Sequence, residues 1–188
     1  MQNHMPYNGD LYSNYDVEVE TSEIESGLKK ELQNYVQGVY DSDKMYMKLV
    51  NYLKTSKEPT ILVMFGDHLP SISGFDLYAN SNFSAIDYYT TPYIIWANYD
   101  IENKELPKFM SPSYLSINIL KMSNIELPWY LKRFEELYTN YPSINNLYGI
   151  NKEGKLIKPE TIKNYDIIND CRILQYDLLI KKKYIPVR

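Results

Sequence analysis

Residues 60–65, TILVMF, form an unbroken apolar run between Pro59 and Gly66, and no other segment so narrows the folds open to this chain. A run of six is too short for a buried helix, and its bounding Pro and Gly mark a strand covered on both faces. A second run, residues 93–97 (YIIWA), follows Pro92 and gives way to Asn98, Tyr99 and Asp100. It predicts another buried strand, with proline tolerated at its entrance. Upstream, Leu32, Tyr35, Val36, Val39, Tyr40, Tyr46, Leu49, Val50 and Leu53 recur at intervals of three and four. They trace one stripe of a long amphipathic helix that ends before Pro59 and should pack on the sheet. Helix, strand, loop, strand, helix is the order of an α/β domain in which helices cover a largely parallel sheet.

The flanking segments fit that frame. Residues 8–27 mix turn formers with acidic residues and read as a surface loop leading into a helix start, and residues 71–90 read as a polar loop. Residues 113–124 (SYLSINILKMSN) predict a helix with a serine cap. Pro128 opens a further helix over WYLKRFEELY. Residues 145–159 resemble a hairpin turning near Gly154, and residues 162–180 fit either a helix or a mixed segment. No repeat or low-complexity linker interrupts the chain.

Composition excludes several classes of function. With 188 residues, 44% of them hydrophobic, the chain is long enough for one globular domain with a real core. A single cysteine, Cys171, rules out an intramolecular disulfide and CxxC-type zinc or redox chemistry. A formal net charge of -4 argues against a nucleic-acid partner, which would need a basic face. The one basic cluster, Lys181, Lys182 and Lys183, reads as a solvated helix end rather than a lipid contact. No apolar run approaches the roughly 20 residues that span a bilayer, and MQNHMPYNGD lacks the architecture of a signal peptide.

Sheets of this kind bind ligands outside the carboxyl ends of their strands. That directs attention to Asp67 and His68, which follow the first strand directly, with Gly66 permitting a tight turn. A carboxylate oxygen and a neutral imidazole nitrogen are a credible pair of ligands for manganese, zinc or magnesium, although two ligands do not complete a site. On spacing alone, an aspartate capping the next helix beside a hydrogen-bonded histidine explains the pair slightly better. The other histidine, His4, lies in QNHMPY. Asn3 and His4 both offer hydrogen bonds to a phosphate oxygen or a sugar hydroxyl, but an unanchored chain end is the competing reading. Spacing gives no reason to bring His4 near His68.

QNHMPY, then FGDHLP after an apolar strand, then TPYIIWANYD, occur here in the order found in lipoteichoic acid synthase-like proteins, which the chain resembles. The stretch YVQGVYDSDKMYMKLVNYLK before PTILVMFGDH also resembles the sulfatase and alkaline phosphatase superfamily, in which a helix with an internal aspartate, here Asp43, precedes a strand ending in Asp-His. QYDLLIKKKY is similar to the family's C-terminal end, so the resemblance runs over residues 1–188. It implies the C-terminal part of one sulfatase-like catalytic domain, with the N-terminal half and the transmembrane region of family members absent.

The same resemblance implies that Asp67 and His68 are two ligands of one catalytic divalent metal, manganese before magnesium or zinc. It places His4 in the substrate pocket beside the phosphoglycerol group. The family's threonine nucleophile and glutamate ligand lie upstream of this sequence, so no catalytic residue is assigned among the threonines present. The implied enzyme is a phosphoglycerol transferase of the bacterial cell membrane with an extracellular catalytic domain. It moves glycerol phosphate from a phosphatidylglycerol-type lipid donor to a polymer or glycan acceptor, and this chain by itself would be inactive. A sulfatase or phosphodiesterase of the same superfamily, or a non-catalytic module binding wall glycan or a partner, are the alternatives.

Overall fold

A computed structural model describes residues 3–21, 24–72, 84, 86–101, 105–145, 148–158, 160, 162 and 165–180. The chain divides into two compact units, Met1–Tyr99 and Asp100–Arg188. The lysine cluster and most of the loop expected over residues 71–90 lie outside the described residues.

In the first unit the expected long helix is present as α1, Ser26–Leu53. It stops short of Pro59, where the Lys54 amide closes back on the Val50 carbonyl at 2.9 Å. The apolar stripe is only half-buried along most of its length. The deeply buried positions are Asn34, Gln37, Gly38 and Val50, three of them at the polar edge of the stripe. Both expected strands form, β1 as Ile61–Phe65 and β2 as Tyr93–Ala97. They pair with each other in the register Ile61↔Ala97 through Phe65↔Tyr93.

That pairing is antiparallel, which corrects the expectation of a largely parallel sheet while leaving the α/β class intact. An unbroken apolar run reports burial, but it carries no information on strand direction, which the connection and the pairing set. The strands are also less covered than their composition suggests. Phe65 is 49% and Ile94 46% exposed, so apolar side chains face outward on this two-stranded ribbon. Asn98 ties the ribbon to the end of α1. Its Nδ2 donates to the carbonyls of Leu53 at 3.0 Å and Glu58 at 2.9 Å, and its Oδ1 accepts the Thr60 amide at 2.8 Å.

The second unit begins with a 3-10 turn, Pro112–Tyr114, that runs into α2, Leu115–Met122. The expected serine cap at Ser113 does not form. The 3-10 turn moves the α-helical start to Leu115, and it is Ser111 whose hydroxyl is engaged, exchanging hydrogen bonds with the backbone of Ile144. Helix α3 covers Trp129–Asn140 with Pro128 just ahead of it, and α4 covers Tyr165–Ile180, so a helix accounts for residues 165–180 of the segment expected to be helical or mixed. Short strands β3 (Ser143–Ile144), β4 (Gly149–Ile150) and β5 (Leu156–Ile157) form an antiparallel sheet in that order. The expected hairpin is β4–β5, turning through Gly154 at φ +77°.

Tyr114, Ile117, Leu127 and Leu131 make the core of this unit, with Phe134 and Tyr138 packed against it. A second cluster joins α3 to α4 through Leu137, Ile167 and Cys171, and Arg133 on α3 pairs with Asp170 on α4 at 2.6 Å. Burial pushes the Cys171 thiol up to about 11. Its thiolate fraction at pH 8 is then about a thousandth, against about a tenth for a thiol at the ordinary value, and the thiolate is the reactive form. Cys171 is therefore expected to resist iodoacetamide at pH 8 in the folded chain and to react at least tenfold faster in denaturant. Equal rates in both conditions would place the α3–α4 contact in error. No helix among the described residues is long and apolar enough to cross a membrane.

Candidate functional site

The turn after β1 is built by Gly66 and Thr91. The Gly66 amide donates to the Pro92 carbonyl at 3.1 Å, and the Thr91 hydroxyl donates to the Gly66 carbonyl at 2.6 Å. A Cβ on Gly66 would sit 3.0 Å from the Thr91 Cβ, so the close approach favours glycine. Asp67 and His68 leave the strand at this point. Asp67 Oδ1 accepts the backbone amide of His68 at 3.0 Å. Over described residues 67–72 no helix begins, so Asp67 does not cap one there. The second carboxylate oxygen, Oδ2, lies 3.8 Å from His68 Nε2, and both side chains are more than half exposed, at 73% and 55%.

The tautomer of each histidine follows from its neighbour. His68 Nδ1 is 2.8 Å from the Leu69 carbonyl and His4 Nδ1 is 2.7 Å from the Met5 carbonyl. A carbonyl only accepts, so each Nδ1 carries the proton and each neutral ring keeps its Nε2 lone pair. That is the arrangement metal-ligating histidines commonly use, with the far nitrogen held by a backbone carbonyl. The donor chemistry of Asp67 and His68 thus suits a divalent cation. Among the described residues, no group of three or more His, Cys, Asp or Glu side chains is placed to hold an ion, so the described residues offer at most a partial set.

Sequence spacing left His4 apart from this pair, and the structure brings them together. The His4 and His68 rings meet edge to face with centroids 5.9 Å apart. Asn3, His4, Asp67 and His68 line one cavity of about 600 Å3, whose other walls include Tyr7, Tyr35, Val39, Met45, Met64 and Ile94. Burial, with the charges of Tyr35 and Asp67 adding, raises the Tyr7 phenol above its ordinary value. Asp43, the helical aspartate singled out in the sequence, lies on α1 and lines the same cavity. Asn3 Oδ1 is buried and has no hydrogen-bond partner among the described residues.

A family model described as Sulfatase matches residues 1–125. The chain belongs to the sulfatase family. Across 211 aligned residues it is 28% identical to a putative cyclic beta-1,2-glucan modification protein of Rhizobium meliloti (strain 1021), covering all of this chain and 31% of that protein. The fold matches the Streptococcus pyogenes phosphoglycerol transferase GacH in complex with sn-glycerol-1-phosphate, with a TM-score of 0.69 at 23% identity. That match covers 100% of this chain and 46% of GacH. The chain thus spans less than half the length of either protein, and its partial α/β fold is similar to that of the matched part of GacH.

Sequence reasoning missed the residues that hold the N-terminal segment of this sulfatase-family chain in place. Gln33, Asn34 and Gln37 of α1 bond its backbone, and Gly38 makes room for Asn3. The available signal was a helix interior with three amides in five positions followed by glycine, which costs about 1 kcal/mol relative to alanine.

Proposed function

We propose that this chain is the part of a metal-dependent phosphoglycerol transferase that carries two metal ligands and a substrate-binding histidine. The observation that supports this reading best is the meeting of His4 with Asp67 and His68 at one cavity. In this reading Asp67 and His68 hold a divalent cation, Mn2+ ahead of Mg2+ or Zn2+. A bound cation would polarise the phosphoryl oxygens and activate an attacking hydroxyl.

The chain's own residues orient and shield the substrate. With its Nδ1 proton held by the Met5 carbonyl, His4 presents its Nε2 lone pair as an acceptor to a glycerol hydroxyl. Asn3, next to His4, lines the same cavity, with its Oδ1 turned in against Gly38. Val39, Met45, Met64 and Ile94 supply the apolar wall that displaces water from the phosphoryl group. The threonine nucleophile and the remaining ligand come from residues outside this chain.

The donor is a phosphatidylglycerol-type lipid and the acceptor a glycan hydroxyl, at the cell envelope. A relative whose name refers to beta-1,2-glucan modification and a fold neighbour bound to sn-glycerol-1-phosphate support both ends of the transfer. The expected result is that the purified chain alone transfers nothing, while the enzyme containing it moves labelled glycerol phosphate to a glucan in a Mn2+-dependent way. Release of inorganic sulfate from sulfate esters, with no glycerol phosphate transferred, would turn the reading toward hydrolysis of a different ester.

A further inference from the structure

A row of side-chain amides on α1 acts on the N-terminal segment as a clamp. Gln33 reads one stretch in both directions, its Oε1 accepting the Val19 amide at 2.8 Å and its Nε2 donating to the Val17 carbonyl at 2.6 Å. Gln37 Oε1 accepts the Asp16 amide at 2.8 Å. Asn34, only 1% exposed, uses all of its main capacity: Nδ2 donates to the carbonyls of Tyr7 at 2.6 Å and Gly9 at 2.9 Å, and Oδ1 accepts the Tyr15 hydroxyl at 2.7 Å. A buried amide with both donors and its oxygen engaged favours this chain path over others.

The path it favours ends at the site. The carbonyl bonded by Asn34 belongs to Tyr7, whose ring packs on Tyr35 with centroids 5.4 Å apart and whose hydroxyl donates to the Asn3 carbonyl at 3.2 Å. Asn3 in turn occupies the space above Gly38, where an added Cβ would fall 2.3 Å from Asn3 Oδ1 and 2.9 Å from Asn3 Cγ. His4 follows Asn3 directly and meets His68.

We infer that Asn34 and Gly38 are positioning residues, which set the placement of His4 against His68 through Tyr7 and Asn3 without touching either histidine. The importance of that placement rests on the proposed role of His4, but the placement itself can be read without any activity. Nuclear Overhauser contacts between the ring protons of His4 and His68 in the full 188-residue chain report it directly.

The wild type is expected to show these contacts, and Gln33→Ala, which loosens the segment only at Val17 and Val19, is expected to keep them. Asn34→Asp removes both donors to Tyr7 and Gly9 while retaining an acceptor for Tyr15, and the contacts should be lost. Gly38→Leu favours the helix but fills the place of Asn3, and it should lose them too, with the β1–β2 amide signals unchanged. If Asn34→Asp fails to fold, Gly38→Leu decides alone. Contacts that persist in a folded variant of either residue, that vanish in Gln33→Ala, or that are absent from the wild type overturn the inference. A transferase assay that fails while these contacts behave as described would count against the function and not against the clamp.

Discussion

Asp67→Ala is expected to lower glycerol phosphate transfer by about a thousandfold in the enzyme containing this chain. A bound divalent cation is worth several kcal/mol of charge stabilisation at a phosphoryl group, and about 4 kcal/mol corresponds to three powers of ten in rate. In the proposed site Asp67 would offer Oδ2 to the cation, while its Oδ1 accepts the His68 amide, so one truncation would remove a ligand and loosen the next. Initial rates at saturating Mn2+ measure the effect, and Mn2+ affinity followed by electron paramagnetic resonance locates its origin. His68→Ala should fall in the same range. A loss smaller than tenfold from both variants would exclude Asp67 and His68 as metal ligands in turnover.

Ile117→Ala is expected to destabilise the second unit by about 2–5 kcal/mol. Ile117 on α2 is 0% exposed and belongs to the cluster of Tyr114, Leu127 and Leu131. Truncation forfeits the transfer free energy of the lost carbons and leaves a void that the surrounding aromatic rings fill only in part. Burial raises the Tyr114 phenol well above its ordinary value, consistent with a dry surrounding. Ile125, 54% exposed, is the matched control, and its replacement by alanine should change stability by no more than about 0.5 kcal/mol. Urea denaturation compares the two. Similar costs at the two positions would mean that Ile117 does not sit in a packed core.

The elements that the sequence disclosed were those with a strong one-dimensional signature. The apolar runs at residues 61–65 and 93–97 have the length and punctuation of strands, and both are strands. The turn at Gly154 and the helix after Pro128 were equally legible. Strand direction was not, because pairing between residues 61–65 and 93–97 depends on contacts that no local pattern records. Asp67 and His68 could be read as a candidate site because a strand end and a Gly66 turn locate them. The partnership with His4 was hidden, since it depends on how residues 3–19 are routed. That routing is set by Gln33, Asn34 and Gln37, which in a periodicity analysis register only as polar breaks in a stripe. The signal that Asn34 gives in three dimensions, a buried amide with its donors and acceptor engaged, has no sequence counterpart.

The hold on the N-terminal segment also has a particular response to its surroundings. Two exposed ion pairs, Lys30 with Asp10 and Lys44 with Asp16, accompany the amide bonds. Such pairs weaken as ionic strength rises, because the screening length shrinks to about 8 Å at physiological salt and further beyond it. The amides of Gln33, Asn34 and Gln37 carry no charge and do not titrate. His4 should consequently stay beside His68 at salt concentrations that strip the ion pairs away.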